Sequence, residues 1–232
     1  MKFTFGIITS GDISHKVIDS IYNQQIPEFE IVVVGGKSLW VKGKDYPEWM
    51  EDKNIIHIPF DETIKKGWIT KKKNLITQQA KYENIVFMHD YIYLEDNWYE
   101  GFQDFGEDWD ICMNIIYNSD GTRFRDWVVY DDPDLNWPGG GYPQIHGNKG
   151  HQMILPSYDY NKYQYMTISG TYWVAKQNIM KKHPLNENLL WGQGEDAEWS
   201  KRVLNQYKYK MNQLSSVKSL KMKNLSALNI SK

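Results

Sequence analysis

Glu83-Asn84-Ile85-Val86-Phe87-Met88-His89-Asp90-Tyr91-Ile92-Tyr93-Leu94 is the stretch on which the reading of this chain turns. The apolar run Ile85 to Met88 has the length of a buried strand rather than a helix, and it delivers an imidazole and a carboxylate at its carboxyl end. Open α/β sheets bind ligands in the crevice outside such strand ends. A His-Asp pair placed there can hold a divalent cation or hydrogen-bond a sugar hydroxyl, and either use suits a phosphorylated ligand. The plainer alternative is a strand followed by a polar turn. The flanking segments bear on the choice.

Upstream, Phe3 to Thr9 reads as a buried first strand, and Ser10-Gly11-Asp12 supplies turn and capping chemistry before the periodic run Ile13, Val17, Ile18, Ile21, Tyr22. A second apolar run, Phe29 to Val34, ends in Gly35-Gly36, where bare backbone can approach a ligand or simply turn. Strand, helix and strand with short links predict a parallel right-handed unit. Neither G-x-G-x-x-G after the first strand nor G-x-x-x-x-G-K-[ST] is present, so the dinucleotide and P-loop fingerprints are missing. Asn54 to Pro59 reads as another short strand. Thr70 to Tyr82 reads as a helix with Lys71-Lys72-Lys73-Asn74 in its first turns. Basic side chains at a helix start oppose the macrodipole, which makes sense if they meet an anion; a solvated charged face is the other reading.

Downstream, a helix is expected around Trp98 to Phe105 and a strand from Trp109 to Tyr117. Tyr117 to Tyr165 is turn-rich, with Asp131-Asp132-Pro133-Asp134 and Trp137-Pro138-Gly139-Gly140-Gly141-Tyr142-Pro143, and its aromatics favour an ordered binding wall over a linker. Met166 to Ala175 reads as one strand interrupted at Gly170, where another group can approach the backbone. A short helix follows from Lys176 and ends near His183-Pro184. Trp191-Gly192-Gln193-Gly194-Glu195-Asp196 then leads into a helix that carries Glu195 and Asp196 in its first turn, where carboxylates are favoured on structural grounds alone. From Lys208 the tail is basic, with Lys218, Lys221 and Lys223 near-alternating.

The 232 residues suffice for a substantial core, and no domain boundary, internal repeat or low-complexity tract is visible. The net charge of -2 argues against a nucleic-acid binder that uses a broad basic surface. The lone Cys112 makes no internal disulfide, and no apolar run approaches the roughly 20 residues of a membrane span, so the expectation is a soluble, cytoplasmic protein. Aromatic content is 15%, with 10 Trp and 16 Tyr; such rings stack on sugars and bases or fill a core. His146 and His151 could ligate a metal, although loop histidines more often serve as hydrogen-bonding surface groups.

In order and spacing these segments resemble the glycosyltransferases of the A-type fold, family 2-like and galactosyltransferase-like members in particular. Phe5-Gly6-Ile7-Ile8-Thr9-Ser10 resembles the first nucleotide-binding strand; Lys73-Asn74 followed by Ala80 resembles the Arg-Asn helix; Phe87-Met88-His89-Asp90 resembles the Asp-x-Asp strand. Ser169-Gly170-Thr171 is similar to the glycine turn of the sugar site, and Trp191 to Asp196 to the acceptor-side Gly-Glu-Asp motif. The resemblance implies a single α/β domain over 1–232, a Rossmann-type sandwich with a mostly parallel central sheet flanked by helices. About 1–115 would form the nucleotide-donor half, and about 116–232 the acceptor half and tail.

It also implies transfer of a sugar from a nucleotide-sugar donor to a glycan or other hydroxyl acceptor, with inversion. Asp196 is implied as general base and Glu195 as a hydroxyl-binding partner. Donor contacts fall on Thr9, Ser10, Gly11, Gly35, Gly36, Lys72, Lys73, Asn74, His89, Asp90 and Lys218, and acceptor contacts on Gly170, Trp191 and Gly194. A Mn or Mg ion would sit on Asp90 and His89. The chain departs from the pattern in three places. Ile92 stands where a second carboxylate usually grips the cation, no histidine follows His183, and Gly35-Gly36 replaces an acid that reads the nucleotide. Metal-independent action, with a lysine of the 218 to 223 region neutralising the diphosphate, is therefore a second route. A non-catalytic carbohydrate-binding protein on this scaffold is the main alternative, followed by a nucleotidyltransferase, whose Gly-rich triphosphate loop Thr9-Ser10-Gly11-Asp12 does not supply.

Overall fold

Along Phe3–Thr9 every residue is buried, and alternate side chains enter different cores: Phe3, Phe5 and Ile7 pack into one, Ile8 into the other. That is the signature of a strand covered on both faces. The same period of two runs through Ile31 and Val33 against Val32 and Val34, and through Val86 and Met88 against Ile85 and Phe87. The computed structural model describes residues 1–36, 51, 55–130, 132, 153–203 and 205–222. His146, His151, Lys223 and the Trp137 to Pro143 segment lie outside the described residues.

In chain order the elements are β1 (Phe3–Thr9), α1 (His15–Tyr22), β2 (Phe29–Gly35), β3 (Ile55–Ile58), α2 (Ile69–Gln79), β4 (Asn84–His89), β5 (Ile92–Leu94), α3 (Trp98–Phe105) and β6 (Ile111–Tyr117). They continue with β7 (Trp127–Tyr130), β8 (Met153–Ile154), β9 (Met166–Ile168), β10 (Tyr172–Lys176), α4 (Gln177–Lys182), α5 (Glu195–Val203) and β11 (Tyr209–Ser219). Eight strands form the central sheet in the order β3-β2-β1-β4-β10-β6-β11-β5. β3, β2, β1 and β4 are mutually parallel, β10 runs antiparallel between β4 and β6, β11 is parallel to β6, and β5 is antiparallel at the edge. The expected α/β fold with a mostly parallel, helix-flanked sheet is the fold observed.

Helices α1 and α3 cover one face, where Trp98 packs its indole against Phe3, Phe5 and Phe102 with ring centroids 5.0, 5.4 and 4.6 Å away. Its Nε1 donates to the Tyr172 hydroxyl at 2.8 Å, which in turn donates to Asn114 Oδ1 at 2.6 Å, so the indole and phenol tips are both satisfied. Residues of α2, α4, α5 and a three-stranded sheet, β8-β7-β9, cover the other face. Of the seven described tryptophans, Trp98, Trp109, Trp127, Trp173 and Trp199 are buried and only Trp191 is fully exposed, so these rings serve chiefly as core.

Two segments fold differently from their sequence reading. Met166 to Ala175 is two strands in two sheets: Gly170 marks the point where the chain leaves the small sheet and enters the central one. The basic tail is an eleven-residue strand, β11, between β6 and β5. Its alternation, Tyr209 and Met211 then Val217 and Ser219 inward, is broken by a register shift between Asn212 and Ser216, which hid it among lysines. β10 and β11 both come from the later half of the chain, so the two halves share one sheet.

Candidate functional site

The carboxyl ends of β1, β2 and β4 meet in a crevice closed by hydrogen bonds. Thr9 Oγ1 donates to Asp90 Oδ2 at 2.6 Å and accepts from the Gly11 amide at 3.1 Å, joining the β1 turn to the carboxylate after β4. Gly35 and Gly36 have φ of 106° and 100°, the left-handed region that favours glycine. A Cβ on Gly35 would lie 1.9 Å from the Thr9 carbonyl oxygen and 3.2 Å from Lys72 Nζ, so glycine is what lets the lysine reach β1.

Helix α2 opens with buried cations. The side chains of Lys72 and Lys73 are 3% and 1% exposed. There is no acid in the helix's own first turn to offset them against the macrodipole; the acids come from elsewhere in the chain. Lys71 pairs with Glu187 at 3.1 Å, Lys72 with Glu62 and Lys73 with Glu195 at 3.3 Å. Lys72 Nζ also donates to the Thr9 carbonyl at 2.7 Å and to Ser10 Oγ at 3.2 Å, and Glu62 accepts from Ser10 Oγ at 3.0 Å and from the Gly67 amide at 3.2 Å. Asn74 turns away from the crevice. It holds Leu185 through both its amide groups, at 2.9 Å each, and donates to Glu187.

Beyond β4 lies a cavity of about 440 Å³ whose lining includes His89, Tyr91, Gly170, Trp191, Glu195 and Asp196. Its floor depends on Gly170: a Cβ there would sit 2.8 Å from Asp196 Oδ2 and 2.9 Å from Glu195 Oε1. The Gly170 amide donates to Asp196 Oδ2 at 2.8 Å, and the Ala197 amide donates to Oδ1 at 2.9 Å. One backbone donor on each oxygen fixes the carboxylate plane and leaves lone pairs toward the cavity. Burial raises the Asp196 pKa, the neighbouring Glu195 adds to the rise, and these amides with Lys73 oppose it. Lys73 donates to the Gly170 carbonyl at 2.7 Å and lies 4.2 Å from the centroid of the Trp173 ring; burial lowers its pKa against the pull of Glu195 and Asp196.

The opposite wall comes from the turn-rich segment. Arg125, Val128 and Tyr130 line the cavity, while Trp127 and Val129, alternate residues of β7, enter the core. Arg123 braces this wall by a forked pair with buried Asp126, 2.9 Å at its shortest, and a 2.7 Å bond to the Pro156 carbonyl. Tyr158 donates to the same carboxylate at 2.7 Å. Arg125 and Lys221 are different: among the described residues neither has an acidic partner, and both line the cavity.

Of the sequence-predicted residues, Thr9, Ser10, Gly11, Gly35 and Lys72 meet in the crevice with Asp90, and Gly36 adjoins them. His89, Gly170, Trp191, Gly194, Glu195 and Asp196 line the cavity. Lys73 contacts the acids from beneath, and Asn74 and Lys218 do not line it. Sequence reasoning missed Glu62, a lone acid in a loop, and Arg125, which follows the structural Arg123 by two positions. Trp191 rests on Gly67, where a Cβ would come within 3.0 Å of its ring, and Lys65 and Trp68 tie that loop to the Glu187 carbonyl at 2.6 and 2.8 Å. Among the described residues no three His, Cys, Asp or Glu side chains form a metal-holding group, and no helix is long and apolar enough to cross a membrane.

No protein-family model and no curated protein matches the chain. Solved structures do. TarS of S. aureus superposes with a TM-score of 0.61 at 15% identity, over 94% of this chain and 36% of that one. The 1–349 portion of TarS in complex with UDP-GlcNAc gives 0.58 at 16% identity, over 100% and 62%. GalNAc-T7 with UDP, GalNAc and Mn2+ gives 0.64 at 12% identity, over 100% and 44%. The chain thus spans 36% of the TarS chain, 62% of its 1–349 portion and 44% of the GalNAc-T7 chain. What they share with it is the fold, that of the A-type glycosyltransferases.

Proposed function

We propose that the chain transfers a sugar from a nucleoside-diphosphate donor to a hydroxyl acceptor, with inversion at the anomeric carbon. The observation that carries this reading is Asp196, held by the Gly170 and Ala197 amides at the floor of a cavity beside the strand-end crevice. The UDP and UDP-GlcNAc bound to structural neighbours agree with a nucleotide in that crevice.

The chemistry follows from the arrangement. The donor's nucleotide enters at the ends of β1 and β2, against Thr9, Ser10, Gly11, Gly35 and Gly36, with Lys72 and Glu62 as the charged groups at its base. The acceptor enters between Trp191 and the Arg125 to Tyr130 wall. Its hydroxyl proton passes to Asp196, its oxygen bonds to the anomeric carbon, and the bond from that carbon to the diphosphate oxygen breaks, the electron pair leaving with the nucleoside diphosphate. Glu195, facing the same cavity, holds a hydroxyl of either sugar. Alignment of this kind lowers the entropic part of the barrier.

The leaving diphosphate needs positive charge. Lys221 and Arg125 bring it to the cavity from the protein. Asp90 and His89 would hold a Mn or Mg ion, whose positive charge would serve the same end. Asp90 Oδ2 already accepts from Thr9 Oγ1 at 2.6 Å, which ties it to the β1 end of the crevice.

A thermal-shift screen of UDP, GDP, CDP, dTDP and their sugar conjugates, each with Mn, Mg or chelator, tests the reading. One nucleotide class is expected to stabilise the protein with the concentration dependence of mass action. Stabilisation that survives chelator assigns charge neutralisation to Lys221 and Arg125, and stabilisation lost in chelator assigns it to a cation on Asp90 and His89. No response to any nucleotide contradicts the proposal and leaves sugar binding without transfer as the function of this cavity.

A further inference from the structure

Lys72 and Lys73 are neighbours on one helical turn and both are buried, yet they face different parts of the site. Lys72 points to the Thr9 carbonyl in the crevice, Lys73 to the Gly170 carbonyl beneath the acids. The Lys73 ammonium has the indole face of Trp173 on another side and does not line the cavity. An ammonium so enclosed reaches a donor phosphate only by giving up these contacts. It is nevertheless well placed to act on the carboxylates. Asp196 Oδ2 and Glu195 Oε1 crowd one carbon-sized point over Gly170, and two like charges that close disfavour joint ionisation unless a cation stands beside them. Lys73 is that cation, 3.3 Å from Glu195.

We propose that Lys73 is a positioning residue for the general base, placing a cation beside the Glu195–Asp196 pair and fixing the Gly170 turn that orients Asp196, and that it does not bind the donor. The link to catalysis rests on the proposed role of Asp196, but the electrostatic role of Lys73 does not. The other titratable or charged groups facing the pair are His89, Tyr91, Tyr130, Arg125 and Lys221, all lining the cavity. Tyr91 is a buried phenol and the other four are partly or fully exposed, whereas Lys73 is a buried ammonium.

Carboxyl-carbon NMR titration of the full chain, with the Asp196 signal assigned through Asp196→Asn, tests this without requiring turnover. In Lys73→Met, which keeps the unbranched stem and removes the ammonium, the Asp196 midpoint is expected to rise by about one pH unit or more, the scale of a neighbouring charge. Lys73→Arg retains the cation and is expected to restore it. In the unsubstituted protein the Lys73 Nζ resonance is expected to follow the same midpoint. An unmoved Asp196 midpoint in a folded Lys73→Met protein overturns the proposal; so does a Lys73 resonance that ignores the carboxylate titration, a result that holds even where the variant does not fold. If the midpoint moves as expected but no donor is turned over, the positioning role stands and the transferase reading fails.

Discussion

In the strand-end crevice Lys72 has the Thr9 carbonyl, Ser10 and Glu62 around it, while across Gly170 the cavity presents Arg125 and Lys221 with no acidic partner among the described residues. The crevice has its charges answered by the protein itself; the cavity leaves two of its cations for a ligand to answer. On the proposed reading, a nucleotide in the crevice would displace or use Glu62, whereas an acceptor would meet a formed cavity. Buried ion pairs are expensive to break because the remaining charge is left uncompensated, so the two regions are expected to respond differently to substitution.

The cavity carries the largest predicted effect. Asp196→Asn removes the base and keeps the side-chain shape, although its single amide oxygen can accept from only one of the Gly170 and Ala197 amides; kcat is expected to fall about 10²–10⁴-fold with nucleotide-induced stabilisation unchanged, read by steady-state kinetics beside thermal shift. Because burial and Glu195 raise the Asp196 pKa, and the base works only when ionised, the acid limb of the wild-type rate profile is expected above the usual carboxylate range. Next comes Gly170→Ala, whose methyl meets both carboxylates at under 3 Å. A loss of about 1–3 kcal/mol in denaturant unfolding, with kcat reduced far more than acceptor KM, is the expected outcome.

The crevice is probed by Glu62→Gln. Lys72 loses its charged partner while keeping Thr9 and Ser10, so stability is expected to fall by about 1–3 kcal/mol and discrimination among nucleotides to narrow. Unchanged stability and selectivity would mean that Glu62 is a bystander and the contrast between the regions is false. The smallest structural effect belongs to Trp191→Ala. At 74% exposure the indole contributes little to the fold, so unfolding is expected to change by less than about 0.5 kcal/mol. Acceptor KM is expected to rise, since the ring offers the cavity its one exposed tryptophan face among the described residues.

What the sequence made legible follows from how local the cause is. β1, β2 and β4 could be read because a strand buried on both faces is an unbroken apolar run, and Glu195 with Asp196 because carboxylates in a helix's first turn are a local signal. β11 was not legible: its inward residues are interrupted by a register shift and separated by lysines. The division of Met166 to Ala175 between two sheets is likewise a long-range matter, although Gly170 signalled that something approaches the backbone there. The lysine run left two readings open, an anion or a solvated face; that its partners are anions, and the chain's own Glu62, Glu187 and Glu195, depends on contacts across ten to 122 residues of sequence. Arg125 could not be told from Arg123 until Asp126, Tyr158 and Pro156 were seen to hold only one of them.

The central claim is single-displacement transfer with Asp196 as base. It is tested most directly by proton NMR of donor turnover in the absence of acceptor, with water in the acceptor's place and an α-linked sugar nucleotide chosen from the stability screen. The account predicts that the released sugar appears first as the β anomer and that Asp196→Asn abolishes its release. First appearance of the α anomer, or release that is indifferent to Asp196, would contradict it.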